Sequence, residues 1–193
     1  GYYSINEQGR QDHVANTMTA PYYRFDGSND YIQASHNDNL DLIPGAENLS
    51  MHVRFRLDGA VTSLSGLINK NEQYALGISS ASKLQFAVPY VSSATVDTTV
   101  LGEGIYDAVV TWDGSTVKYY VNGVLSSSTA DTTTPSATRN TEFSIGGRHS
   151  GIVGGTPDES FFKGQIYSTK IFNAVLSAAE VKELYSGASV PFK

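Results

Sequence analysis

The chain has 193 residues, of which 40% are hydrophobic and only 17% charged, with a net charge of −6 and no cysteine. The acidic balance repels phosphate backbones and argues against a nucleic-acid partner, while the lack of cysteine excludes disulfides, thiol nucleophiles and thiolate-bound zinc. No apolar run approaches the roughly 20 residues of a membrane helix, and the start at Gly1, without the basic and apolar regions of a signal peptide, reads as a processed or trimmed chain.

Residues 1–21 follow neither helical nor strand period and read as an N-terminal arm or linker, leaving 22–193 as one domain. YRFDG (23–27) and DYIQA (30–34) are short β-runs joined at Asp26-Gly27 by what reads as a hairpin turn. SHNDNLDL (35–42) gathers side-chain oxygens. LSMHVRFRL (49–57) alternates without a break, putting Leu49, Met51, Val53, Phe55 and Leu57 on one face and Ser50, His52, Arg54 and Arg56 on the other, as in a half-buried antiparallel strand. Further β-runs follow at 66–70, 74–79 and 84–90. From Tyr106 to Ser128, Asp113-Gly114 and Asn122-Gly123 divide three β-prone runs into a meander, because Asn-Gly favours the positive φ of a type I′ turn. The Ser/Thr-rich stretch 126–141 reads as a loop, and strands resume at 142–147 and 161–172. Ser177 with Glu180 forms a capping box, Val181 and Leu184 follow at helical spacing, and Gly187 stands where a helix stops. The pattern predicts an all-β, two-sheet antiparallel sandwich with one short C-terminal helix.

FDGSNDYI (25–32), NLSMHVRFRL (48–57), GIYDAVVTWDGSTVKYYVNGVL (104–125), FSIGG (143–147) and FKGQIYSTKIFNAVLSAAEVKELY (162–185) resemble, in this order and spacing, the motifs of laminin-G-like jelly-roll domains. The resemblance covers about 22–187. It implies a concanavalin A-like jelly roll of the kind carried by extracellular, bacterial surface and phage structural proteins. Where many members read G-x-I-D-E-V, this chain reads Gly164-Gln165-Ile166-Tyr167-Ser168-Thr169, and Tyr167 offers no carboxylate to a calcium ion there.

Three groups of residues are candidates for binding. His52, Arg54 and Arg56 share the polar face of their strand, and Lys118 and Tyr120 share a face of theirs; if both strands lie in one sheet, a basic and aromatic groove results, able to grip a glycan by forked donors and ring stacking. An ordinary solvated sheet face explains the same pattern. Rim loops supply Asn69, Lys70, Arg148 and His149. For calcium, Asp38, Asn39 and Asp41 offer oxygen ligands, although Asn and Asp equally serve turns. No further cofactor is expected.

Glycosidases need two carboxyl groups roughly 5 to 9.5 Å apart, and no strand here carries the alternating Glu/Asp pattern that supplies them; no G-x-S-x-G elbow is present either. The expectation is therefore a non-catalytic binding or adhesion module for carbohydrate or a host-surface component, at an extracellular or virion surface. The alternative is a structural protein-interaction domain such as a capsid decoration or tail-fibre module, and a homo-oligomer is compatible with either.

Overall fold

The computed structural model describes residues 22–42, 48–70, 73–88, 94–133, 141–148 and 159–186. The expected arm at 1–21, His149, the glycine-rich run that follows it and Gly187 lie outside the described residues. Twelve strands occupy them: β1 Tyr23–Asp26, β2 Ile32–Ala34, β3 Leu49–Leu57, β4 Ser65–Lys70, β5 Tyr74–Ile78, β6 Leu84–Ala87, β7 Thr95–Val96, β8 Gly104–Trp112, β9 Thr116–Val121, β10 Val124–Ala130, β11 Phe143–Ile145 and β12 Lys163–Phe172, followed by helix α1, Ala178–Ser186. They pair into two six-stranded sheets, β1-β12-β3-β8-β9-β10 and β2-β11-β4-β5-β6-β7. Every pairing is antiparallel. The sandwich expected from the alternating pattern is the fold.

The alternation in β3 determines the core. Leu49, Met51, Val53, Phe55 and Leu57 are all buried, and each such side chain withdrawn from water contributes about 1.5–3 kcal/mol. They meet Leu67, Ile68, Leu76, Ile78, Leu84 and Phe86 of the second sheet, with Trp112 and Tyr119 among them. Tyr119 also pins the sheets together by polar contacts: its hydroxyl donates to the Thr95 carbonyl at 2.6 Å and accepts from the Phe86 amide at 3.1 Å. Burial raises its phenol pKa, so the neutral form is the one the fold holds.

The meander forms as its turn residues demand, with Asn122 at φ 51° and Gly123 at φ 77° between β9 and β10. The first turn differs from expectation. Gly27 takes φ 84° and Asp26 Oδ1 accepts from the Ser28 amide at 2.7 Å, but β1 and β2 belong to different sheets, so the turn crosses the sandwich instead of closing a hairpin. The Ser/Thr-rich stretch expected as a loop begins inside β10. That strand is an outer edge of the first sheet, seven residues long and without a charged side chain. The opposite edge, β1, carries Arg24 and Asp26, and the edges of the second sheet, β2 and β7, are only three and two residues long.

Candidate ligand-binding site

The outer face of the first sheet holds five of the expected site residues. Strand register sets His52, Val109 and Tyr120 in one cross-strand row, Arg54 and Asp107 in the next, and Thr111 beside Lys118 in another. The face is not the open groove anticipated. Helix α1 lies over its middle row, where Val109, Tyr120 and Val181 form a second apolar cluster flanked by Leu176 and Leu184. His52 and Tyr120 are buried, at 3% and 4% exposure. Tyr120 packs against Val181 of the helix and does not offer its ring for stacking, which corrects the expectation for it, and His52 is buried in its pair with Asp107.

The helix is held there from both sides. Ser177 Oγ and its amide both meet Glu180 Oε2, at 2.7 and 2.8 Å, and Ser50 Oγ accepts from the Leu176 amide at 3.0 Å while donating to the Ala174 carbonyl. Around this lid the charges are matched within the chain. Asp107 takes His52 Nε2 at 2.5 Å and Arg54 at 3.2 Å. Arg56 reaches Asp58 at 3.1 Å and Glu103 at 2.8 Å. Lys118 stands between Thr111 and Ser128, half-buried.

The oxygen-rich segment serves a turn. Asn37 accepts from the Asn39 amide at 2.9 Å to start a 3-10 turn at Asp38–Leu40. Asp38 meets His36 Nε2 at 2.7 Å, and Asp41 meets the ammonium of Lys70 at 2.8 Å. Lys70, expected on a rim loop, is fully buried, with the Thr141 carbonyl at 2.9 Å and His36 Nδ1 at 3.3 Å completing its surroundings. The charge that a metal ion would bring to Asp41 is thus already supplied by a side chain. His36, Asp38 and Asp41 can approach one ion, but one imidazole and two carboxylates fall short of the six to eight oxygens calcium takes. These residues do not fit calcium.

The outer face of the second sheet is different. A depression of about 400 Å³ lies over β4, β5 and β6, lined by Leu64, Gly66, Asn69, Ala75, Gly77, Gln85, Ala87, Ala94 and Arg148 among others. Small residues make its floor because alternate positions of β5 and β6 face outward: Leu76, Ile78, Leu84 and Phe86 enter the core, while Ala75, Gly77, Gln85 and Ala87 do not. Gly77 is required by the backbone as well, since a Cβ there would lie 2.6 Å from the Ser65 carbonyl oxygen. Asn69 and Arg148, two of the rim candidates, come together at this depression; Lys70, the neighbour of Asn69, points away into its ion pair.

Asn69 is the unusual group. It is 1% exposed, and neither its amide nitrogen nor its carbonyl oxygen makes a hydrogen bond among the described residues. Leaving a buried polar group without a partner costs about 1–3 kcal/mol, and both amide atoms are closed to solvent, so a ligand would reach them only by a movement of the wall of the depression. Arg148 is anchored by a backbone bridge to Glu159, with amide-to-carbonyl distances of 3.0 and 3.2 Å, and its Nε lies 3.6 Å from the Glu159 carboxylate. Gln85 was not among the expected site residues. Its signal was available in LQFAVPY, where Gln85 and Ala87 alternate with Leu84 and Phe86.

The family model for the concanavalin A-like lectin/glucanases superfamily matches residues 26–182. No curated protein sequence matches the chain. Among solved structures, the chain is similar to a heptameric SAP-like pentraxin from Limulus polyphemus, with 14% identity, a TM-score of 0.62, and 86% of this chain and 82% of the pentraxin covered. A putative carbohydrate binding protein from Bacteroides ovatus gives 17% identity and a TM-score of 0.64, covering 84% of this chain and 46% of that one. Botulinum neurotoxin type C, whose cell entry depends on interaction with two ganglioside molecules, gives 18% identity and a TM-score of 0.63, covering 86% and 42%. The chain therefore spans under half the length of the latter two. At 14–18% identity these structures show a shared fold, and no helix among the described residues is long and apolar enough to cross a membrane. The chain belongs to the concanavalin A-like lectin/glucanase superfamily, in its laminin-G-like branch.

Proposed function

We propose that this domain binds carbohydrate, without cleaving it, in the depression on the outer face of the second sheet. The observation that carries the reading is the buried, unpartnered amide of Asn69 at the wall of a small-residue floor. An amide offers a donor and an acceptor side by side, and a sugar ring offers hydroxyls that both donate and accept. The flat floor of Gly66, Gly77, Ala75 and Ala87 lets a ring lie close to the backbone. The volume falls in the range of small-molecule sites, and solved structures of the same fold include a putative carbohydrate binding protein and a ganglioside-dependent toxin. In this reading the module serves adhesion to a glycan-bearing or host surface from an extracellular or virion setting.

The test is a glycan array with the wild type and Ala87→Phe, a side chain sized to fill the depression from its outward-facing floor. Binding to at least one glycan by the wild type and none by the variant, at equal melting temperature, is the expected result. Equal binding by both would show that the site lies elsewhere. Release of reducing ends from any bound glycan would overturn the non-catalytic reading.

A further inference from the structure

We infer that the ligand of this depression is an uncharged sugar of about one or two rings, recognised by side-chain amides rather than by the arginine. The inference rests on the carbohydrate reading of the site and narrows it to a ligand class. Two primary amides flank the floor. Asn69 stands in the cross-strand row of Ala75 and Ala87, and Gln85 in the adjoining row with Gly77. Two strand spacings and one two-residue step separate their Cα atoms by about 12 Å, and both side chains reach inward from there. Gln85 is half-buried and makes no side-chain hydrogen bond among the described residues.

The donor and acceptor balance discriminates between sugars. Amides present equal numbers of donors and acceptors at two sides of the floor, matching hydroxyls, which are both at once. An ionised carboxylate only accepts, and would leave the carbonyl oxygens of Asn69 and Gln85 facing negative charge. Arg148 is the cation of this site, and Glu159 opposes it across the backbone bridge, where directly paired residues project to the same face. A sialic or uronic acid reaching Arg148 would meet the Glu159 carboxylate, on a chain already at −6. None of the described residues that line the site is aromatic, so what these residues offer a sugar is the hydrogen bonding of the two amides.

The experiment is an NMR titration of the ¹⁵N-labelled full chain with lactose, cellobiose and mannobiose as neutral probes and with 6′-sialyllactose and digalacturonate as acidic ones. The expected result is that one or more neutral disaccharides shift the side-chain NH₂ signals of Asn69 and Gln85, that the acidic probes bind at least tenfold more weakly, and that Asn69→Leu and Gln85→Leu each weaken the neutral complex about tenfold. Gln85, being half-buried, keeps the test valid if Asn69→Leu does not fold. Binding of acidic probes alone, with Arg148→Gln abolishing it and Gln85→Leu silent, would overturn the inference and leave the carbohydrate site standing. If no probe shifts any residue of the depression up to tens of millimolar while the glycan array also fails, the site reading falls, and this inference with it.

Discussion

The two outer faces of the sandwich use their polar side chains in opposite ways. On the first sheet a helix covers the middle row, and the charges around it answer one another: His52 and Arg54 to Asp107, Arg56 to Asp58 and Glu103. On the second sheet small residues leave a depression, and the amide of Asn69 at its wall has no partner. A face rich in Arg, His and Tyr is the more lectin-like in composition. Each face keeps a buried polar group without a partner among the described residues, Nδ1 of His52 on the first and the Asn69 amide on the second, and what sets the second apart is the depression beside it.

This contrast can be broken at the closed side first. Lys70→Ala leaves Asp41 buried without its cation and should cost about 3–5 kcal/mol, read as a large fall in denaturant midpoint; a change below about 1 kcal/mol would mean that Asp41 is not held by that ammonium. Tyr120→Ala removes the ring beneath α1 and should cost about 2–4 kcal/mol, lowering the melting temperature while leaving glycan affinity unchanged. Lost binding at an unaltered melting temperature would return the site to the first sheet. On the open side the pattern reverses: Asn69→Leu should raise stability by about 1–3 kcal/mol, because it removes a buried polar group whose bonds are unmade, and should reduce glycan affinity at least tenfold. A smaller effect is expected from Ser177→Ala, about 1 kcal/mol for a lost N-cap, confined to amide exchange in residues 178–181.

Protons sharpen the contrast further. The Ser177 hydroxyl, then its amide, hold the Glu180 carboxyl below its usual pKa, and the Ser115 hydroxyl does the same for Asp113. Depressed carboxyls contribute stability above their unfolded pKa values and lose it as pH falls through the lowered ones. The start of α1 should therefore loosen first on acidification below about pH 4, visible as faster exchange at residues 178–181. Tyr74 and Tyr119 act at the other limit: burial raises their phenol pKa values, so their contribution is complete below pH about 10 and declines above it. A flat stability profile from pH 9 to 11.5 would contradict the buried phenols.

Much of the fold was legible because its signals are local. The alternation of Leu49 to Leu57 and the Asn122-Gly123 turn name their structures in a few residues. What escaped depends on covering one element with another. Val109 lies on the nominally outward side of β8 within the run Ala108-Val109-Val110, and an apolar residue on both sides of a strand signals cover on both sides; the helix with Val181 and Leu184 was the cover. Lys70 looked like a rim cation because nothing in its neighbourhood along the chain discloses Asp41, twenty-nine positions away and paired at 2.8 Å. Asn69 and Arg148 were named as separate loop residues, and only the pairing of β4 with β5, and of β5 with β6, shows the floor that joins them.

The seven-residue edge β10 bears on how the protein behaves in quantity. Val124 and Leu125 at its start are 69% and 51% exposed, the strand holds no charged residue or proline of its own, and the charge brought to it by Asp97, through the Ser126 and Ser127 hydroxyls, lies at its middle. Separation of molecules in solution then falls to the general repulsion of a −6 surface, and this vanishes near the isoelectric point of about 5.1. Colloidal stability should accordingly be lowest in mildly acidic buffer of high ionic strength, where screening removes the remaining repulsion.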